Sequence, residues 1–187
     1  MQVRELIDFI RMLERLKCNT RHSWTSSGRR ESVAEHSFML AVLAYLVKDE
    51  FPEVDIDKVI LMCLLHDFGE AVTGDIPAFE KTREDEAVEE DATDRLLCQL
   101  PKSVQTGIRA LFQEMKEEKT PEARLCKGLD KMEAVMQHNT ASLRTWLPLE
   151  YELQLSYGEK EVAYSPYLSA LKKELNEDSR RKIEHGV

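Results

Sequence analysis

Residues 57–75 read DKVILMCLLHDFGEAVTGD. An unbroken apolar run from Val59 to Leu65, followed by loosening at Gly69 and Gly74, predicts a buried helix that ends in a histidine and an aspartate. A helix turns each side chain by roughly 100° per residue, so His66, Asp67 and Glu70 spread over about a quarter of the circumference and can face one site. Burying an ionised aspartate behind so apolar a run is costly unless a cation or strong hydrogen bonds compensate it. A divalent metal does this directly, and imidazole with carboxylate is a donor set that suits Zn, Mn, Co or Fe.

Working outward, Ser32 and Glu35 form a capping-box pattern, which predicts a second buried helix from near Val33 through FMLAVLAYLV to about Glu50. His36 then lies in its first turn. Upstream, Leu6, Phe9, Ile10, Leu13 and Leu16 make one apolar helical stripe, which KCNTRHSWTSSGRR (17–30) ends as a polar loop. Downstream, residues 82–119 read as two charged surface helices broken at Pro101. Thr120–Pro121 and Ser165–Pro166 each supply an N-cap and first helical residue for a further helix. Asp130 interrupts an apolar face of the first of these. Spacing alone leaves it either a metal ligand or a surface carboxylate paired with Lys127 or Lys131.

Period-two alternation is scarce throughout, so the fold class expected is all-α. The 187 residues, 42% hydrophobic and 33% charged, suffice for one globular domain with a real core. No stretch is long and apolar enough for a membrane span, and the amino terminus lacks the pattern of a signal peptide, so a cytoplasmic protein is expected. A net charge of −9 argues against general affinity for nucleic acid, which needs many cations against phosphates. The four cysteines form no CxxC pair, and Cys63 and Cys126 read as plain core residues.

The set EHS (35–37), HDFGE (66–70), GDIP (74–77) and KGLDKMEA (127–134), in that order on successive helices, resembles the HD-domain metal-dependent phosphohydrolases. Among them it is most similar to the small bacterial 5′-deoxynucleotidase type, over roughly residues 1–145. The resemblance implies an HD-domain helical bundle across 1–187, with 146–187 a helical extension. It also implies one divalent ion (Mn, Co, Zn, Fe, Ni or Mg) held by His36, His66, Asp67 and Asp130, and a homodimer. Glu70 matches the position that assists the attacking water. Asp75 matches the Gly-Asp-x-Pro element and would hold the sugar or protonate the leaving oxygen. Arg21 is the candidate for the substrate phosphate, with Arg29 and Arg30 as alternatives, and Lys81 is a second cation for it or a solvated lysine.

The deoxynucleotidases carry a Trp directly beside that Arg, whereas this chain reads RHSW, with Trp24 three positions beyond Arg21. The expectation is that Trp24 does not reach the sugar and that preference for deoxyribose is weak. The function implied is hydrolysis of a nucleoside 5′-monophosphate. Two other readings keep the site: hydrolysis of nucleoside di- or triphosphates or alarmones, and a non-catalytic nucleotide-binding module.

Overall fold

Capping residues and prolines cut the chain into short helices, and the computed structural model describes residues 1–186. The elements are α1 (Val3–Leu13), α2 (Arg15–Cys18), β1 (Thr20–Trp24), β2 (Arg30–Ser32), α3 (Val33–Leu46), α4 (Ile56–Leu65), α5 (Glu70–Thr73) and α6 (Arg83–Leu97). They continue with α7 (Lys102–Glu117), α8 (Pro121–Thr140), α9 (Glu150–Ser156), α10 (Glu159–Val162) and α11 (Pro166–His185). The chain is all-α apart from the small antiparallel β1–β2 pair.

The predicted starts hold for physical reasons. Ser32 accepts the Glu35 amide while Glu35 accepts the Ser32 amide, so α3 begins with two of its free donors satisfied. Thr120 and Ser165 cap α8 and α11 by their hydroxyls, each followed by proline in the first turn. The core lies where α3, α4 and α8 meet under α11, around Leu40, Val59, Met62, Leu125, Leu129, Met132 and Leu168, all fully buried. Cys63 and Cys126 sit in this core as free thiols, 3.7 Å apart.

Three expectations need correction. The stretch read as a polar loop folds as a hairpin, β1 and β2, pairing Thr20 with Ser32 and Trp24 with Arg30. Three residues of β1, Arg21–Ser23, thus lie opposite the single Glu31 of β2, a bulge that re-aims side chains between the paired positions. The helix expected to run to Glu50 leaves α geometry after Leu46 and continues as a 3-10 turn, Lys48–Glu50, which delivers Phe51 to the core ahead of Pro52. The first apolar stripe is divided between α1 and α2 and only half used: Phe9 on α1 and Leu16 on α2 are buried, whereas Leu6 and Ile10 face solvent. Among the described residues no helix is long and apolar enough to cross a membrane.

Candidate metal and phosphate site

Four side chains converge from three helices. The first turn of α3 presents His36, the C-terminal end of α4 presents His66 and then Asp67, and the middle of α8 presents Asp130. His36 Nε2 lies 3.2 Å from Asp130 Oδ1 and 3.9 Å from Asp67 Oδ2. His66 Nε2 lies 3.1 Å from the same Asp67 oxygen and 3.8 Å from the same Asp130 oxygen. The other nitrogen of each ring is tied behind the site. His36 Nδ1 meets Glu133 Oε2 at 2.5 Å, and His66 Nδ1 meets the Cys63 carbonyl at 2.8 Å. A carbonyl only accepts, so His66 Nδ1 carries the proton and donates, and both rings turn Nε2 to the centre.

The electrostatics favour positive charge at this point. Burial opposes a charge on His66, yet Asp67 and Asp130 beside it raise its pKa to about 10. Burial works against ionised Asp67 as well, and His66, His36 and Arg21 nonetheless hold it well below the usual carboxylate range. Asp130 is likewise lowered despite burial, chiefly by Lys131, whose ammonium is 3.0 Å away, and by the two histidines. Both sequence readings of Asp130 therefore meet in one residue: one oxygen faces the histidines and the other faces Lys131. Two buried atoms at the centre, His66 Nε2 and Asp67 Oδ2, make no hydrogen bond. Orphaned nitrogen and oxygen donors pointing at one spot fit a divalent cation.

Next to this cluster stand the groups suited to a phosphate ester. Arg21 is almost enclosed by carboxylates, with its guanidinium 3.5 Å from Asp67, 3.5 Å from Glu31 and 3.9 Å from Asp75. At those lengths it is held by charge rather than by hydrogen bonds, and its Nε is buried without a partner. Glu70 is 3% exposed, its Oε2 is unpartnered, and burial together with the Asp67 and Asp75 charges pushes it up to about 9. Asp75 is raised by burial against the pull of Arg21. Lys81 lies on the same groove, ion-paired with Glu89.

The alternatives to Arg21 are occupied elsewhere. Arg29 grips Glu35 with two bonds, at 2.5 and 2.9 Å, and so extends the α3 capping box. Arg30 lies over the Trp24 ring, 4.6 Å from its centre. Sequence reasoning missed Glu31 and Glu133. Glu31 stands between the stretch read as a loop and the Ser32 cap, yet it is buried and pushed up to about 7 by burial and by the charge of Glu133. Glu133 had a usable signal, since it follows Asp130 by three residues and so shares its helical face.

The HD domain family model covers residues 13–172. The chain belongs to the HD domain family. A Bos taurus protein named 5′-deoxynucleotidase is 33% identical to this HD domain over 138 residues, which cover 72% of this chain and 66% of the relative's own length. A Schizosaccharomyces pombe protein with the same descriptive name is 30% identical over 166 residues, 84% of this chain and 77% of that one. Among solved structures, a predicted metal-dependent phosphohydrolase from Magnetospirillum magnetotacticum superposes with a TM-score of 0.79 at 27% identity, covering 96% of this chain and 93% of its own.

Proposed function

We propose that this HD domain is a metal-dependent phosphohydrolase that removes the phosphate from nucleoside 5′-monophosphates, deoxyribonucleotides among them. The observation that carries it is the convergence of His36, His66, Asp67 and Asp130, with His66 Nε2 and Asp67 Oδ2 orphaned at the centre and Asp67 Oδ2 3.5 Å from the Arg21 guanidinium. A divalent ion bound by those four residues supplies the charge that acidifies water and polarises a phosphoryl oxygen. The two-nitrogen, two-oxygen donor set suits Mn, Co, Zn, Fe or Ni better than Mg.

The remaining steps belong to the protein's own side chains. Arg21 offers the phosphate a planar fork whose donors are not consumed by its carboxylate neighbours. Glu70, buried beside Asp67 with a free Oε2, is placed to take the proton of the attacking water. Asp75, raised above its ordinary value and in reach of Arg21, holds the sugar or gives a proton to the leaving oxygen. Lys81 joins the phosphate by exchanging Glu89 for it. The name of the relatives supports the nucleotide class. We further take the protein to be a cytoplasmic homodimer of one HD domain per chain. Large apolar side chains left exposed on α3 and α4, Phe38, Met39, Leu46, Leu61 and Leu64, support a partner on that face.

Phosphate release from a panel of deoxy- and ribonucleoside monophosphates, each with Mn, Co, Zn and Mg, tests the function. Asp67→Ala should lose metal and turnover together. Equal metal content in wild type and Asp67→Ala protein would refute the ligand set, and a monomeric mass by light scattering at micromolar concentration would refute the dimer.

A further inference from the structure

Beside the metal site, and sharing Arg21, Asp75 and Tyr157 with its groove, a separate cleft opens between the hairpin, the turn after Asp75 and helices α8 and α9. A phosphate at Arg21 leaves the rest of a substrate two directions. The groove over α6 and α7 is dominated by surface ion pairs, Lys81–Glu89, Lys116–Glu90 and Arg109–Asp94. The cleft instead presents rings and aliphatic walls: His22, Phe79, Leu153 and Tyr157. Nucleobases bind such faces, since stacking on a ring is tolerant of base identity and a ligand pocket is mostly apolar with few fixed polar groups.

His22 occupies the centre of this cleft because of the bulge in β1. In a regular strand neighbouring side chains point to opposite faces, so Arg21 and His22 would part company. With three residues of β1 opposite one of β2, both side chains reach the cleft, while Trp24 is turned to Arg30. The imidazole is flanked on both edges. Its Nδ1 lies 3.3 Å from the Arg30 guanidinium, which only donates, so the neutral ring carries its proton on Nε2. That Nε2 lies 2.9 Å from Glu150 Oε1 without making a hydrogen bond to it and is buried with no other partner, whereas His138 Nε2 is hydrogen-bonded to the same oxygen at 2.9 Å. The same tautomer argues against a metal at this His–His–Glu cluster, because a ligating Nε2 would need the proton on Nδ1, where Arg30 stands. Phe79 packs edge-on to His22 with ring centres 5.4 Å apart, and His138 stacks beyond at 5.9 Å.

We propose that this cleft is the nucleoside subsite and that His22 is the ring against which the nucleoside sits, with Glu150 and His138 as positioning residues that hold it. The inference rests on the phosphomonoesterase reading above and adds where the base and sugar go. It gives a role to the segment after Trp146, which supplies Glu150, Leu153 and Tyr157. Glu150 is buried, and hydrogen bonds from His138 and the Leu147 amide hold its carboxyl near 2 although burial opposes this, so the anchor is ionised at neutral pH.

The test compares metal-loaded wild type, His22→Ala and Glu150→Gln on a deoxynucleoside 5′-monophosphate and on deoxyribose 5-phosphate, which lacks the base. Expected is a rise in KM for the nucleotide of about tenfold, the effect of losing one base-stacking ring, with the base-free substrate changed by less than about twofold and metal content unchanged. Equal losses on both substrates, or no loss on either, overturn the proposal. Binding of the free deoxynucleoside, measured by calorimetry, keeps the two readings apart. Wild type that binds it more tightly than His22→Ala yet releases no phosphate would refute the hydrolase and support the subsite. Wild type that turns over nucleotides but binds the nucleoside no better than His22→Ala would refute the subsite alone.

Discussion

Replacing Glu133 with alanine should weaken metal binding without touching a metal ligand. Glu133 is 4% exposed and its Oε2 receives the Nδ1 proton of His36, itself wholly buried. The carboxylate thus fixes the ring so that Nε2 points at Asp130 and Asp67, and its charge makes that nitrogen a better donor. Removing such a partner typically lowers metal affinity 10- to 100-fold, about 1.4–2.7 kcal/mol. A second cost falls on the metal-free protein, because the His36 Nδ1 proton is left buried without an acceptor, worth about 1–3 kcal/mol of stability. Glu133→Gln, which restores an oxygen but not the charge, should fall between alanine and wild type on both measures. Calorimetric titration of chelator-stripped protein with Co or Zn gives the affinity, and thermal unfolding in chelator gives the stability. Alanine protein that binds metal as tightly as wild type would show that His36 needs no such support, or is no ligand.

Glu70→Ala should keep its metal and lose turnover by a factor of order 10² to 10⁴; loss of metal by elemental analysis would make Glu70 a ligand instead. Trp24→Ala should leave the ratio of kcat/KM for matched deoxy- and ribonucleotides within about twofold of wild type, well under the ~1.4 kcal/mol of a tenfold change, because the ring faces Arg30; a collapse of that ratio would place Trp24 at the sugar. Lys172 gives a pH test of stability. Its ammonium, which donates to the Gln154 carbonyl at 2.8 Å, is pushed down to about 8 by burial from an ordinary 10.5. Between those values the unfolded chain binds more protons than the folded one, so this residue makes stability rise with pH across that window and costs most below it. The shift is worth at most ~3 kcal/mol and the hydrogen bond offsets about 1, so Lys172→Met should stabilise by roughly 2 kcal/mol at pH 7. That gain should fade as pH rises through the window, and a Tm difference independent of pH would refute it.

What could be read in the sequence was what repeats or sits side by side. Ser32 with Glu35, Thr120 with Pro121 and Ser165 with Pro166 are local chemistry, and each starts a helix where expected. His66 and Asp67 are adjacent, and at about 100° per residue their falling within one quarter of a helix's circumference could be read from the sequence. Residues joined only by the tertiary fold left no such mark. His22, His138 and Glu150 come from a strand, the end of one helix and the start of another, with no spacing to connect them. The hairpin escaped because its strands are short and polar, so two-residue alternation never accumulates, and with it went the burial of Glu31.

Helix α3 carries one more lesson. It is apolar on nearly every side: its outward residues include Phe38, Met39, Tyr45 and Leu46, no less apolar than the Val33, Leu40, Ala41 and Ala44 it turns inward. Hydrophobicity therefore gives this helix no preferred rotation about its own axis. The rotational phase is indexed by its polar minority: the Ser32 cap at one end, and His36 keyed to Glu133 across the interface. The small inward residues follow that index and let α3 approach its neighbours closely. An imidazole suited to holding a cation is thus also the notch that tells an otherwise ambiguous helix which way to face.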